Sequence, residues 1–553
     1  MFVNLKNLPV SAMSLLALAV LAGCNSADTP QAPQITQAAE QSGVTQLSND
    51  AKHQFSLGEC SVEAMPILHN VRYTQVERTD THCLVSGVIE REINFTVSLP
   101  DDWNGMFAQS GGGGFVGSVV DVIHLATSDK GYATAGTDSG HRAHALESNW
   151  AANTPYREER LTNFGGRATH LTTQNAKLLI QHYYQQESQR NLFFGCSRGG
   201  GEGLIAAQRY PTDYDVIVAG SPAYDYAVSA GALHAAIARK MFPDPNNLDH
   251  AIVGDKEIEL VNRAVAQQCS NRDGLDANVL SEPWNCQLDL KVLQCSASNN
   301  EACLTPEQVE VFDLVFNGLY DSQGNLIAEG FYPGAGVAMF NKWLAGGLAV
   351  NDLSQFQSGV QIDPDMQPPL TPSFGYAFGN GIMSNFVFDG EYDAASYNFD
   401  NIREDGQWVT NNISATSPDL AAFRKQGGKL IIWNGLHDMA VTPASTRSYY
   451  QEVIKHDPKA AEDVALFLLP GMDHCAGGAG PWMVDWMAEA NQWLDSQEKP
   501  QEMVAHWFTP GQGVTGNRKI CAYPQVAVWD GKGDDRSAAS FRCELPDDKP
   551  KSH

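Results

Sequence analysis

Residues 93–99 alternate apolar and polar, the two-residue period of a half-buried strand. A turn follows at Asp101-Asp102-Trp103-Asn104-Gly105, and residues 106–109 read as a second strand running into Ser110-Gly111-Gly112-Gly113-Gly114-Phe115-Val116-Gly117. Residues 132–136 form a third short apolar run, closed by Thr137-Asp138-Ser139-Gly140-His141. The pattern then changes period. Ala168, Leu171, Ala176, Leu179, Ile180 and Tyr183 recur at helical spacing, which predicts an amphipathic helix over 168–184. Phe193 and Phe194 enter another turn, an Ala-rich helical segment starts at Leu204, and residues 216–219 read as a buried strand ending in Gly220-Ser221-Pro222.

This alternation of strand and helix predicts an α/β fold with a mostly parallel sheet. It stops at about Tyr224. As far as Arg424 the chain is mixed and rich in turns, and the sheet pattern resumes at 429–433 and 465–469. The middle therefore reads as an insertion, and no internal repeat is visible. The chain divides into a catalytic domain of residues 51–224 and 425–553 and a lid domain of residues 225–424.

The turn after Phe194 is Gly195-Cys196-Ser197-Arg198-Gly199, a G-x-S-x-G sequence between a strand and a helix. That context makes a nucleophile elbow, in which small residues let the backbone bend sharply and present the Ser197 hydroxyl above the sheet. An α/β-hydrolase supplies its triad in the order Ser, acid, His. Asp438 stands just beyond the strand at 429–433, and His474 just beyond the strand at 465–469. A hydroxyl is a poor nucleophile until an imidazole takes its proton, and a buried carboxylate orients that imidazole and stabilises its charged form. Asp473 and His437 are rivals for the acid and base, and His141 is either a pocket residue or a histidine hydrogen-bonded beneath the site. The glycine run after the second strand resembles the loop that supplies one oxyanion N–H, expected here from Gly112 or Gly113 with Arg198 supplying the other; a flexible turn is the alternative.

The formal charge of -28 disfavours nucleic acid, whose phosphates would be repelled. Lys6 and the apolar run at 13–21 have the architecture of a signal peptide, too short to span a bilayer. Leu21-Ala22-Gly23-Cys24 resembles the lipobox of bacterial lipoproteins, which implies cleavage of residues 1–23, a lipid on Cys24 and a membrane anchor; an ordinary secretory cleavage is the alternative. Residues 24–50 read as a flexible tether. Export makes disulfides expected. Of eleven cysteines, ten remain without Cys24. Sequence does not fix their pairing. Local neighbours suggest Cys60 with Cys83, Cys269 with Cys286, Cys295 with Cys303 and Cys521 with Cys543. Cys196 and Cys475 are left, one beside Ser197 and one beside His474; if the triad forms, their α-carbons come within reach of a bond.

Cys196-Ser197, Asp438 and His474-Cys475 resemble the mark of the tannase and feruloyl esterase family, as do Gly111 to Gly117, Thr137 to His141 and the tail from Cys521 to Cys543. The likeness spans nearly all of the mature chain. It implies that Cys196 and Cys475 are bonded, that the other disulfides are local, and that the chain is a serine esterase. The substrate class it implies is a small aromatic acid ester of feruloyl, galloyl or terephthalate monoester type. Departures are Gly201-Glu202, where Arg-Gln or Arg-Glu is usual, and Asn434, where His is common. The family also binds calcium in its lid, but Ser270 and Ala277 here replace two carboxylates, so a retained ion would rest on Asp273, Leu275, Asp276 and Val279. The chemistry itself requires no cofactor. The aromatic stretches at 374–378 and 385–388 are candidates for recognition. A catalytically silent binding lipoprotein and an acyltransferase are the competing readings.

Overall fold

The computed structural model describes residues 57–119, 130–269, 279–296, 302–348, 369–509 and 511–546. The signal-like segment, Cys24 and the tether lie outside them.

Three antiparallel strands come first, β1 (Val71–Arg78), β2 (His82–Ile89) and β3 (Ile93–Pro100), followed by β4 (Met106–Ser110) and β5 (Ala133–Thr137). The helix Ala168–Tyr184 precedes β6 (Arg190–Cys196), and the helix Arg198–Arg209 precedes β7 (Val216–Gly220). A small hairpin, β8 (Leu319–Tyr320) with β9 (Leu326–Ala328), lies in the middle region. Then come β10 (Lys429–Gly435), the helix Pro443–His456, β11 (Val464–Leu469) and the helix Trp486–Ser496. Two antiparallel pairs close the chain, β12 (Glu502–Thr509) with β13 (Gly513–Cys521), and β14 (Val526–Trp529) with β15 (Phe541–Glu544).

The main sheet has nine strands in the order β1-β2-β3-β5-β4-β6-β7-β10-β11. From β5 to β11 every pairing is parallel; β1, β2 and β3 form an antiparallel edge. This is the α/β-hydrolase fold. Successive residues of a strand face opposite sides of the sheet. Leu430 and Ile432 accordingly join one core with the helices Ala168–Tyr184, Arg198–Arg209 and Pro443–His456, whereas Ile431 and Trp433 join another with Trp486, Met487, Ala490 and Trp493. Both faces are covered, as a parallel sheet requires.

A third core lies over the carboxyl ends of the strands. It joins much of the stretch between β7 and β10 (residues 221–428) to Phe115 after β4, Trp150 and Phe164 after β5, and Met439 to Val441 after β10. The helix over 168–184 falls where its periodicity places it. The helix after the elbow starts earlier than expected, at Arg198 rather than Leu204. Gly199, Gly200 and Gly201 are weak helix formers. Packing selects them: a Cβ on Gly200 would stand 2.1 Å from the Gly220 carbonyl oxygen, and one on Gly201 would stand 2.5 Å from that of Ala223.

Candidate active site

Ser197 follows β6 and begins the helix Arg198–Arg209. Its φ of 64° and ψ of -122° form a left-handed kink that non-glycine residues seldom adopt. Three backbone hydrogen bonds hold it there. Its N–H donates to the Gly220 carbonyl (3.0 Å), and its own carbonyl accepts from Gly201 (3.1 Å) and Ala223 (2.9 Å). Glycine permits the close passage around it, since a Cβ on Gly195 would lie 2.4 Å from the Gly199 backbone.

Asp438 lies in the turn after β10, fully buried. Its Oδ1 accepts from the Ala440 N–H (2.8 Å) and the Val441 N–H (2.9 Å), and its Oδ2 lies 2.8 Å from His474 Nδ1. Two backbone donors compensate the buried carboxylate. A proton on His474 Nδ1 donated to Asp438 leaves Nε2 as the acceptor, the form needed to receive a hydroxyl proton. Trp343 and the His474 ring pack edge to face, with ring centres 5.1 Å apart.

Cys196 and Cys475 are disulfide-bonded, with α-carbons 5.9 Å apart across 279 residues of sequence. The bond brings the immediate neighbours of Ser197 and His474 together. The other bonds are Cys60–Cys83, Cys269–Cys286, Cys295–Cys303 and Cys521–Cys543.

The rivals fall in other places. Asp473 is adjacent to His474, but the imidazole bond goes to Asp438. Burial, with the Asp438 charge adding to it, pushes the Asp473 carboxyl up to about 7. His437 is buried in the Asp438 turn, with its N–H on the Met472 carbonyl. His141 stacks on Trp150 (3.6 Å between ring centres), and its Nε2 lies 2.9 Å from the Phe115 carbonyl oxygen. Burial lowers its pKa to about 3, so it stays neutral beneath the glycine loop.

The Gly112 N–H donates to Glu202 Oε2 at 2.8 Å, and the Gly112 carbonyl accepts from the Gly199 N–H at 2.8 Å. Gly113 follows in the same loop, and Arg198 is the first residue of the elbow helix. Asn434, one of the departures, accepts from Ser221 Oγ (3.0 Å) and donates to Thr446 Oγ1 (2.8 Å) in the buried interior.

Sequence reasoning overlooked His234 and Trp343 and gave Glu202 no role. His234 Nε2 bonds the Ala440 carbonyl at 2.8 Å, in the loop that holds Asp438, and burial keeps this imidazole's pKa low. Neither His234 nor Trp343 carries a motif, because each acts from the middle region on residues distant in sequence. Of the two aromatic stretches, Phe374 and Phe386 are core residues; Phe378 is partly exposed, between Trp343 (5.9 Å) and Phe115 (5.0 Å).

Asp273, Leu275 and Asp276 of the expected calcium loop lie outside the described residues, and Val279 is buried. Among the described residues no group of three or more His, Cys, Asp or Glu could hold a metal ion.

Residues 78–544 match the family model described as tannase and feruloyl esterase. The chain belongs to the tannase and feruloyl esterase family. It is 29% identical over 517 residues to the mono(2-hydroxyethyl) terephthalate hydrolase of Piscinibacter sakaiensis, covering 84% of this chain and 85% of that one. It is 30% identical over 522 residues to an uncharacterised esterase of Xanthomonas campestris, covering 85% of each. The crystal structure of feruloyl esterase B from Aspergillus oryzae matches with a TM-score of 0.74 at 23% identity, over 88% of this chain and 99% of that one, which shows a shared fold. This member of the family is a carboxylic ester hydrolase of the tannase and feruloyl esterase type.

Proposed function

We propose that Ser197, His474 and Asp438 form the catalytic triad of an esterase acting on aromatic acid esters. The observation that carries this reading is the 2.8 Å bond from His474 to the buried, doubly backbone-bonded Asp438, on the loop joined to the Ser197 elbow by a disulfide. Ser197 Oγ attacks the ester carbonyl while His474 Nε2 takes its proton. The Arg198 N–H and the glycine loop at Gly113 hold the developing oxyanion. His474 returns the proton to the departing alcohol, leaving an acyl-enzyme. Water, deprotonated by the same imidazole, then releases the acid.

The lid is the stretch 225–424, set on a catalytic domain of 51–224 and 425–553. Its Trp343 packs against His474, with Phe378 against Trp343, an aromatic side that suits a planar acyl group. Relatives named as a mono(2-hydroxyethyl) terephthalate hydrolase and a probable feruloyl esterase support the same class. The five disulfides fit an oxidising compartment. Export with a lipid anchor at Cys24 is part of the proposal; among the described residues no helix is long and apolar enough to cross a membrane.

The test is a panel of methyl gallate, methyl ferulate, methyl benzoate and a terephthalate monoester, assayed with the chain starting after Cys24. Hydrolysis should vanish in Ser197→Ala and fall sharply on reduction. Activity surviving Ser197→Ala would overturn the mechanism, and ester products formed with added alcohol would indicate acyl transfer.

A further inference from the structure

Behind the proposed oxyanion site lies a buried ionisable pair that the reaction does not use. Arg198 and Glu202 are one helical turn apart, with side chains 1% and 2% exposed and Nε 3.8 Å from Oε1. The Arg198 guanidinium packs over the Phe164 ring (4.1 Å) and near that of Tyr226 (5.4 Å), and it donates to the Phe164 carbonyl. Burying such a pair costs several kcal/mol per ion before its contacts repay it. Its location therefore asks for a reason.

Glu202 joins three separate segments. Oε2 accepts from the Gly112 N–H at 2.8 Å, and Oε1 accepts from Ser139 Oγ at 3.2 Å. The carboxylate thus ties the elbow helix to the glycine loop after β4 and to the turn after β5. Gly112 is held at both ends, its N–H by Glu202 and its carbonyl by the Gly199 N–H. The loop comes so close to the helix that a Cβ on Gly111 would lie 2.6 Å from the Gly199 α-carbon. An oxyanion hole works only when its donors are fixed at hydrogen-bond distance from where charge develops. One proposed donor, Arg198, opens the helix that Glu202 belongs to. The other, Gly113, belongs to the peptide whose Gly112 carbonyl accepts from the Gly199 N–H, one peptide on from the Gly112 N–H that Glu202 holds.

We infer that Glu202 is a positioning residue: its carboxylate sets the spacing between the two oxyanion donors and so acts on the transition state rather than on substrate binding. The inference rests on the reading of Ser197 as nucleophile. Glutamine at 202 can still accept from Gly112 through its amide oxygen and turn its NH2 toward the Ser139 hydroxyl, so it preserves the tie. Alanine removes it.

The experiment measures kcat and KM on the best ester of the panel, together with inhibition by an aryl boronic acid and by the corresponding carboxylic acid product. A boronic acid forms a tetrahedral adduct on the serine and loads the oxyanion site; the product acid does not. Glu202→Ala should lower kcat about 10- to 100-fold, with KM changed less than about 3-fold. It should weaken the boronic acid by a similar factor and leave the product acid within about 2-fold. Glu202→Gln should recover most of kcat. Ser139→Ala, which keeps Glu202 and removes one donor, should give the same pattern at about 3- to 10-fold, and it carries the test if Glu202→Ala does not fold. Equal losses for boronic acid and product, or unchanged kcat in the folded variants, would overturn this inference while Ser197-dependent hydrolysis stands. Hydrolysis that persists in Ser197→Ala would overturn both readings together.

Discussion

The two sides of the site are held in different ways. On the acid–base side, Asp438 is fixed by backbone N–H groups of its own turn, and His474 hangs from that carboxylate. On the oxyanion side, the glycine loop is fixed by a side-chain carboxylate reaching from the elbow helix, 90 residues later in the chain than Gly112. A backbone-held turn is local and survives changes elsewhere. The loop also has backbone bonds, from the Gly111 N–H to the Phe194 carbonyl and from the Gly199 N–H to the Gly112 carbonyl, but its Gly112 N–H depends on that one carboxylate and on the glycines that allow the approach. Variants of the first kind should abolish chemistry, and variants of the second should attenuate it.

The largest effect belongs to the acid–base side. His474→Ala should lower kcat by roughly 10^6, and Asp438→Asn by roughly 10^4, with KM little changed. Single-turnover kinetics on the best ester would check both. Equal losses would mean that Asp438 does more than orient the imidazole. A smaller effect tests whether the Asp438 turn is as self-sufficient as its local bonds suggest. His234→Phe removes the bond from the middle region to the Ala440 carbonyl and should lower kcat about 10-fold; His234→Gln, which can still donate, should recover much of it. A pH–rate profile displaced in His234→Phe, but not in His234→Gln, would show that the bond acts on the Asp438–His474 pair.

The smallest effect separates the two acids beside His474. The Asp473 carboxyl is buried against Asp438, with Lys342 partly offsetting it, and titrates near 7 rather than at its ordinary 3.8. Between those values the unfolded chain has released a proton that the folded chain keeps. Stability from this group therefore falls as pH rises from about 4 to about 7 and levels off above that. Asp473→Asn should melt with the parent at pH 4 and a few degrees higher at pH 8, by thermal unfolding at both pH values. A difference that grows toward low pH would reverse the assignment.

Much of the scaffold was legible because its signals are local. Strand periods at 93–99 and 465–469, the helical spacing over 168–184 and the glycine-flanked Ser197 depend on neighbours within a few residues. The strands β1 and β2 and the terminal pairs β12 to β15 were not read. An edge strand buries less and carries a weaker pattern, and β1 is exposed or partly exposed throughout. β2, between β1 and β3, is mostly buried and shows no clean alternation.

By itself the sequence determined the order of Ser197, Asp438 and His474, the alternation that builds a parallel sheet, the break at about Tyr224, and the two cysteines left beside the elbow and the histidine. Each follows from residue type and short-range spacing. Only the tertiary structure decided that His474 bonds Asp438 rather than Asp473, that Gly112 gives its N–H to Glu202, and that His234 and Trp343 reach the Ala440 carbonyl and the His474 ring from the middle region. Those outcomes turn on which of several chemically equivalent groups comes into contact with which, and chain geometry over tens to hundreds of residues sets that distance.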